Sequence, residues 1–132
     1  MLVKEIQNRQ DIELLVNTFY VEVRKDKLIG PIFDHMIQRQ EIWDHHMVKL
    51  SDFWETNLLR TGKYEGTPIE LHLWVDMQIN YKLDQIHFDR WLELWHVNLN
   101  KHFKGDVAEL AHTRAEGIGK RIHERVKKAK YR

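Results

Sequence analysis

Residues 40–60 read QEIWDHHMVKLSDFWETNLLR, and the spacing of their large apolar side chains decides the secondary structure of this region. At about 100° per residue, an α-helix gathers five of them on one face: Trp43, Met47, Leu50, Trp54 and Leu58. The stretch shows no alternation with a period of two, which a half-buried strand needs. It therefore predicts a long amphipathic helix from about Gln40 to Arg60.

Helical spacing recurs on both sides of this stretch. The first segment starts near Asn8, a good N-cap residue, and its apolar stripe is Ile12, Leu15, Val16, Phe19 and Val23. A third segment carries Phe88, Trp91, Leu92, Trp95 and Leu99. A fourth follows Gly105 and carries Val107, Ala111, Ala115, Ile118, Ile122 and Val126. Asp106 and Glu109 predict a capping box at the start of this fourth segment.

Residues 73–87 show no clear pattern. Because the other long segments all have helical spacing, we predict one all-α domain over residues 1–132.

Composition narrows the class of protein. The chain is 42% hydrophobic and 11% aromatic, with five Trp and five Phe, so it has ample material for a core with large flat surfaces. It has no cysteine, which excludes disulfides, thiolate metal sites and cysteine nucleophiles. Lys and Arg (21) balance Asp and Glu (20), so neither nucleic acid nor a membrane surface is expected as a partner. Without a signal-peptide pattern or a long apolar run, we expect a cytoplasmic protein.

Nine histidines are the unusual count, and two of them follow a glutamate at the spacing that di-iron helical bundles use. These pairs are Glu93 with His96 and Glu109 with His112. On a helical wheel both glutamates fall opposite the apolar face of their segment, so both should point to water. The sequence therefore disfavours a di-iron site and predicts that these are surface polar residues.

Two other histidines are better placed. On the wheel of the 40–60 helix, His45 lies on the solvent side, whereas His46 lies beside Leu50 and Phe53 at the edge of the apolar face. His72 follows a Gly/Pro-rich loop at residues 61–68 and begins a short helical stretch. From spacing alone, either histidine could be an ordinary residue at the edge of the core.

The motif Tyr64-x-Gly66-x-Pro68-x-x-x-His72 changes this assessment. Combined with other stretches of the chain, it resembles the truncated haemoglobins, specifically their third group. Those stretches are Phe19-Tyr20 with Val23 to Asp26, Leu28 to Phe33, Trp43 to His46, Phe53-Trp54 with Leu58-Leu59, and the Trp91 region. The resemblance covers most of the chain, and its motifs are specific only when taken together.

The resemblance implies a shortened globin fold in which two crossed helix pairs sandwich haem b. His72 would be the proximal iron ligand, and Tyr20, His46 and Trp91 would line the distal side, where a diatomic ligand such as O₂, NO or CO binds. Predicted haem contacts are Phe33, Leu50, Phe53, Trp54 and Leu71, although Trp54 could belong to the core alone. Lys49 and Arg60 are candidate partners of the propionates.

Several alternatives remain at this point. Two or three distal donors would slow oxygen release, which favours sensing, scavenging or redox chemistry over transport. The same haem could serve an NO dioxygenase or a peroxidase-like enzyme, which would need an external electron donor because the chain contains no flavin or nicotinamide motif. His46 could bind iron as a sixth ligand or act as a gate. A non-haem helical protein, with the aromatic residues as ordinary core, is the third class. The sequence does not determine the oligomeric state.

Overall fold

A computed structural model describes residues 3–65 and 70–130 of the chain. Six helices follow one another: α1 (Arg9–Lys25), α2 (Gly30–Met36), α3 (Gln40–Leu59), α4 (Glu70–Tyr81), α5 (Gln85–His102) and α6 (Asp106–Lys130). The four long helices α1, α3, α5 and α6 correspond to the four predicted segments, and the all-α fold class is confirmed. None of the helices in the described residues is both long and apolar enough to cross a membrane.

The helices pack as two pairs. Helix α1 lies against α3, and α5 lies against α6, while α1 also contacts α5 and so joins the pairs. Helix α4 packs against α6, and α2 against α1 and α4. The first helix begins as predicted, because the Asn8 side chain accepts a hydrogen bond from the N–H of Asp11 at 3.0 Å. Its predicted stripe is fully buried, from Ile12 to Val23.

Aromatic rings fill the space between the two pairs. Trp54 of α3 stacks on Trp95 of α5 with ring centroids 4.5 Å apart, and Phe19 of α1 meets Trp95 edge-on at 4.9 Å. Polar bonds then fix how far each helix slides along its neighbour. The Asn98 amide donates to the Thr18 hydroxyl on α1 at 2.9 Å. The Trp95 indole N–H donates to the Ala111 carbonyl on α6 at 3.2 Å.

The start of α6 differs from its prediction. Asp106 is the first helical residue rather than the N-cap. The free N–H groups of Val107 and Ala108 donate instead to the carboxylate of Glu5, both at 3.0 Å. A carboxylate is favourable at this position because the first turn of a helix carries a partial positive charge. A contact more than a hundred residues apart in sequence therefore replaces the predicted local capping box.

Residues 73–87, which the sequence pattern left unassigned, form most of α4, a three-residue connection and the start of α5. The start of α5 is a capping box: Asp84 caps the helix with its carboxylate, and the His87 ring accepts from the Asp84 N–H at 2.9 Å. Gly30 explains why α2 starts where it does. A Cβ atom at Gly30 would lie 2.7 Å from the Arg24 carbonyl oxygen, so the close approach of α2 to α1 requires a glycine.

Candidate functional site

The candidate site is built around the Tyr20 ring. Tyr20 is the last buried aromatic of α1, and its ring meets one aromatic ring from α2 and two from α3. The centroid of Phe33 lies 6.0 Å away, that of Trp43 6.0 Å and that of His46 6.3 Å. Because Tyr20 is only 4% exposed, its hydroxyl is held inside the protein rather than in solvent. Three helices thus bring two of the predicted distal residues, Tyr20 and His46, next to each other.

Trp91 of α5 reaches the same region from the other helix pair. Phe19 lies between the two predicted distal residues, with its ring centroid 4.8 Å from that of Tyr20 and 5.8 Å from that of Trp91. Trp91 is 2% exposed. Tyr20 and Trp91 are therefore one ring apart at the interface between the pairs.

The polar atoms of these two residues distinguish the site from ordinary core. Within the residues that the structure describes, neither the Tyr20 hydroxyl nor the Trp91 indole N–H has a hydrogen-bond partner, although both are buried. Two other buried indoles are paired: that of Trp43 donates to the Ile37 carbonyl at 2.9 Å, and that of Trp95 donates to Ala111. Buried donors are almost always satisfied, since an unpaired one costs about 1–3 kcal/mol. The pattern fits a pocket whose polar partner comes from a bound group.

His46 lies beside this pocket as a half-buried side chain, and His45 is exposed, which confirms the wheel prediction for both. Burial, and secondarily the charge of the neighbouring His45, lowers the pKa of His46 to about 4. The imidazole of His46 is therefore neutral at physiological pH, and a neutral ring has one donor nitrogen and one acceptor nitrogen.

His72 lies on α4, but its side chain and that of Leu71 are outside the described part of the structure, as is the loop segment 66–69. The role of His72 as iron ligand thus stays a prediction. The structure does describe how α4 sits. Trp74, two residues after His72, stacks on Phe88 with centroids 4.8 Å apart and meets Phe33 edge-on at 5.5 Å. Helix α4 is anchored in the same aromatic cluster as the candidate pocket.

Trp74 and Gln78 lie on the side of α4 that faces the candidate site, and the sequence did not predict them as site residues. Trp74 is 1% exposed and lies 6.4 Å from Trp91 between ring centroids. Its indole N–H and the Gln78 side-chain oxygen are also buried without a partner in the described residues. The spacing of Trp74, Met77, Gln78 and Tyr81 is a helical stripe, and this signal could have identified α4.

The remaining predicted haem contacts separate into two groups. Leu50, Phe53 and Trp54 are buried on α3, but the stacking of Trp54 on Trp95 places this ring in the core between the helix pairs. Lys49 and Arg60 are exposed, as cations that reach propionates at a pocket rim would be. Arg60 ends α3 in a left-handed conformation with φ 58°.

The di-iron alternative finds no support. Glu93 and Glu109 are exposed, as predicted. Among the residues that the structure describes, no three imidazole or carboxylate groups converge to hold a metal ion. The two histidines are less exposed than the two glutamates: His96 and His112 are half-buried and contact one another across α5 and α6.

An all-helical fold of two packed pairs, with unpaired donors buried between them, is the architecture of a small globin. Comparison with known proteins makes this specific. No protein-family model matches the chain. It is 36% identical over 115 residues to the group 3 truncated hemoglobin ctb of Campylobacter jejuni. The aligned residues cover 86% of this chain and 87% of that protein. A crystal structure of the group III truncated hemoglobin from Campylobacter jejuni matches with a TM-score of 0.79, at 31% identity over 95% of both chains.

The chain therefore belongs to the group 3 truncated haemoglobins. This confirms the predicted family and the shortened globin fold. Membership of a globin family implies that the chain binds haem.

Proposed function

We propose that the chain binds haem b through His72 and takes up a diatomic gas, O₂ foremost, beside Tyr20, His46 and Trp91. The observation that carries the proposal is the pair of buried donors without partners, the Tyr20 hydroxyl and the Trp91 indole N–H. Both belong to the same aromatic cluster, at the junction of the two helix pairs. When bound, haem would supply a ferrous iron, whose chemistry is to bind a diatomic gas and make it partly negative.

Each pocket residue has one task in this scheme. The neutral imidazole of His72 holds the group from α4, and Tyr20 and Trp91 donate hydrogen bonds to the ligand atom that gains negative charge. Desolvation strengthens these bonds, because Tyr20 and Trp91 are 4% and 2% exposed. His46 stays neutral and offers either a donor or an acceptor without bringing a positive charge into the pocket.

These donors have a kinetic consequence. A hydrogen bond to a charged acceptor contributes about 1.5–3 kcal/mol, and each 1.4 kcal/mol changes a dissociation rate about tenfold. Two such bonds would slow oxygen release by two orders of magnitude or more. A globin that holds oxygen so tightly is poorly suited to oxygen delivery, so the proposed role is sensing, detoxification or redox chemistry of the bound gas.

Stopped-flow measurement of oxygen release from the ferrous protein tests the distal assignment. We expect Tyr20→Phe and Trp91→Phe to speed release about tenfold or more each, because each substitution removes a donor. Tyr20→Phe keeps the ring, whereas Trp91→Phe replaces the indole by a smaller aromatic ring. Trp95→Phe is the matched control, because it makes the same Trp-to-Phe change one helical turn from Trp91 but removes an N–H that is already paired with Ala111. It should speed release much less than Trp91→Phe does. Release from the native protein as fast as from a variant that carries both Tyr20→Phe and Trp91→Phe would refute the proposal.

The visible spectrum tests the proximal assignment. The protein loaded with ferrous haem should show a five-coordinate spectrum, and His72→Ala should lose either the haem or that spectrum. His45→Ala serves as the control, since His45 is an exposed histidine of α3. A His72→Ala variant that retains haem with an unchanged spectrum would show that another residue binds the iron.

A further inference from the structure

The two histidines that the sequence analysis assigned to the surface form a contact outside the haem site. The rings of His96 of α5 and His112 of α6 meet edge to edge, with centroids 4.7 Å apart and planes 28° apart, and their Nδ1 atoms face each other at 2.5 Å. The hydrogen bond from Trp95 to the Ala111 carbonyl explains this contact. Trp95 and Ala111 each come one residue before a histidine of the pair, so their bond places the two histidines side by side. The rings are half-buried, and the His96 side chain is 30% exposed, so a solute can reach them.

The outer nitrogen of each ring also has an oxygen partner. His112 Nε2 lies 3.0 Å from the Asn100 side-chain oxygen, and His96 Nε2 lies 3.4 Å from the Glu116 carboxylate. If both Nε2 atoms carry their proton toward these oxygens, both Nδ1 atoms keep a lone pair directed at the same point. Histidines that bind metals are held in this way, with the second N–H donated to a carboxylate or carbonyl oxygen that fixes the ring and its tautomer.

Two lone pairs that face each other repel unless something lies between them. A proton is one solution, and it gives the contact seen in the structure. Nearby charge favours a larger cation, since the carboxylates of Glu109 and Glu116 act on His112. Burial first, and then His96, lowers the pKa of His112, which keeps its lone pair available at neutral pH.

We propose that His96 and His112 bind a divalent transition-metal ion of the Zn²⁺, Cu²⁺ or Ni²⁺ class through their Nδ1 atoms. These borderline cations prefer imidazole nitrogen. At a Zn–N distance of about 2.0–2.1 Å, two tetrahedral ligands lie about 3.3 Å apart, so the two Nδ1 atoms need to separate by less than about 1 Å and the rings to tilt until both lone pairs point at the ion. Because no third protein ligand converges here in the described residues, water completes the coordination. The ion ties α5 to α6 and occupies the space between the two lone pairs.

Isothermal titration of the haem-loaded protein with ZnCl₂ tests this proposal, since haem would then fill the proposed site at Tyr20, His46 and Trp91. We expect one Zn²⁺ per chain with a dissociation constant in the micromolar range. His96→Gln and His112→Gln should each weaken binding at least tenfold. Glu116→Gln, which keeps both imidazoles, should weaken binding severalfold by removing the acceptor behind His96. His45→Gln is the control, because it removes an exposed histidine of another helix and should leave the affinity unchanged.

A second readout separates metal binding from a structural role of the pair. Zn²⁺ should raise the thermal unfolding midpoint of the native protein and of His45→Gln, but not of His96→Gln or His112→Gln. The proposal is overturned if the native protein binds no Zn²⁺ below about 100 μM, or if both histidine variants bind it with native affinity. It is also overturned if the variants lower stability while the response to Zn²⁺ is unchanged, since the pair would then be a hydrogen bond only.

Discussion

Two glycines in helices should respond oppositely to the same substitution. At Gly30 a Cβ would lie 2.7 Å from the Arg24 carbonyl oxygen and 2.9 Å from that of Val23, whereas ordinary contact begins at 3.4 Å. The backbones of α1 and α2 must then separate by about 0.7 Å, and overpacking of this kind costs about 1–3 kcal/mol. At Gly117, inside α6, a Cβ would meet nothing within 4 Å. Alanine there should stabilise the helix by about 0.5–1 kcal/mol through its better helix propensity.

Thermal unfolding of the haem-loaded protein, followed by circular dichroism at 222 nm, measures both effects. One kcal/mol corresponds to about 4 °C in a domain of this size, so Gly117→Ala should raise the midpoint by about 2–4 °C. Gly30→Ala should lower it by about 4–12 °C on the same scale. It should also weaken haem retention, because α2 carries Phe33 into the pocket. Propensity alone predicts a gain at both positions, so a raised midpoint for Gly30→Ala would refute the reasoning.

Two pH-dependent effects follow from buried groups. Burial alone would raise the pKa of Asp26, but hydrogen bonds from the Ile29 N–H and Arg90 outweigh it and lower the pKa below 3.8. Asp26→Asn should therefore lower the free energy of unfolding by about 2 kcal/mol at pH 7. This difference between variant and native protein should vanish as pH falls below 3.8 through the lowered pKa of the folded state. Urea titrations at pH 7, 4 and 2.5 measure the difference, and an unchanged value at pH 2.5 would contradict the prediction. The pKa of His46 is lowered to about 4, so the unfolded state binds more protons between pH 6.5 and 4. The free energy of unfolding should fall as pH falls through that window, by up to about 1.4 kcal/mol per pH unit. His46→Gln should reduce this dependence on pH, and a variant with the same dependence as the native protein would count against the assignment.

The sequence predicted which residues form the candidate site better than it predicted their hydrogen bonds. Tyr20, His46 and Trp91 were predicted from a family resemblance, and the structure brings Tyr20 and His46 into contact and places Trp91 one ring away. What the resemblance could not supply is which donors are paired. The indoles of Trp91 and Trp95 belong to the same helix and look alike in sequence, yet only that of Trp95 has an acceptor in the described residues.

The sequence by itself determined the four long helices, the N-cap at Asn8 and the exposure of His45, because each depends on residues within a turn or two. Only the tertiary structure decided that Glu5 caps α6 and that His96 meets His112. The periodicity of a helix encodes which of its faces is apolar, but it does not encode how far the helix slides along a neighbour that is distant in sequence. That displacement is set when the large rings interlock, and it determines which polar groups find partners and which are left for a ligand.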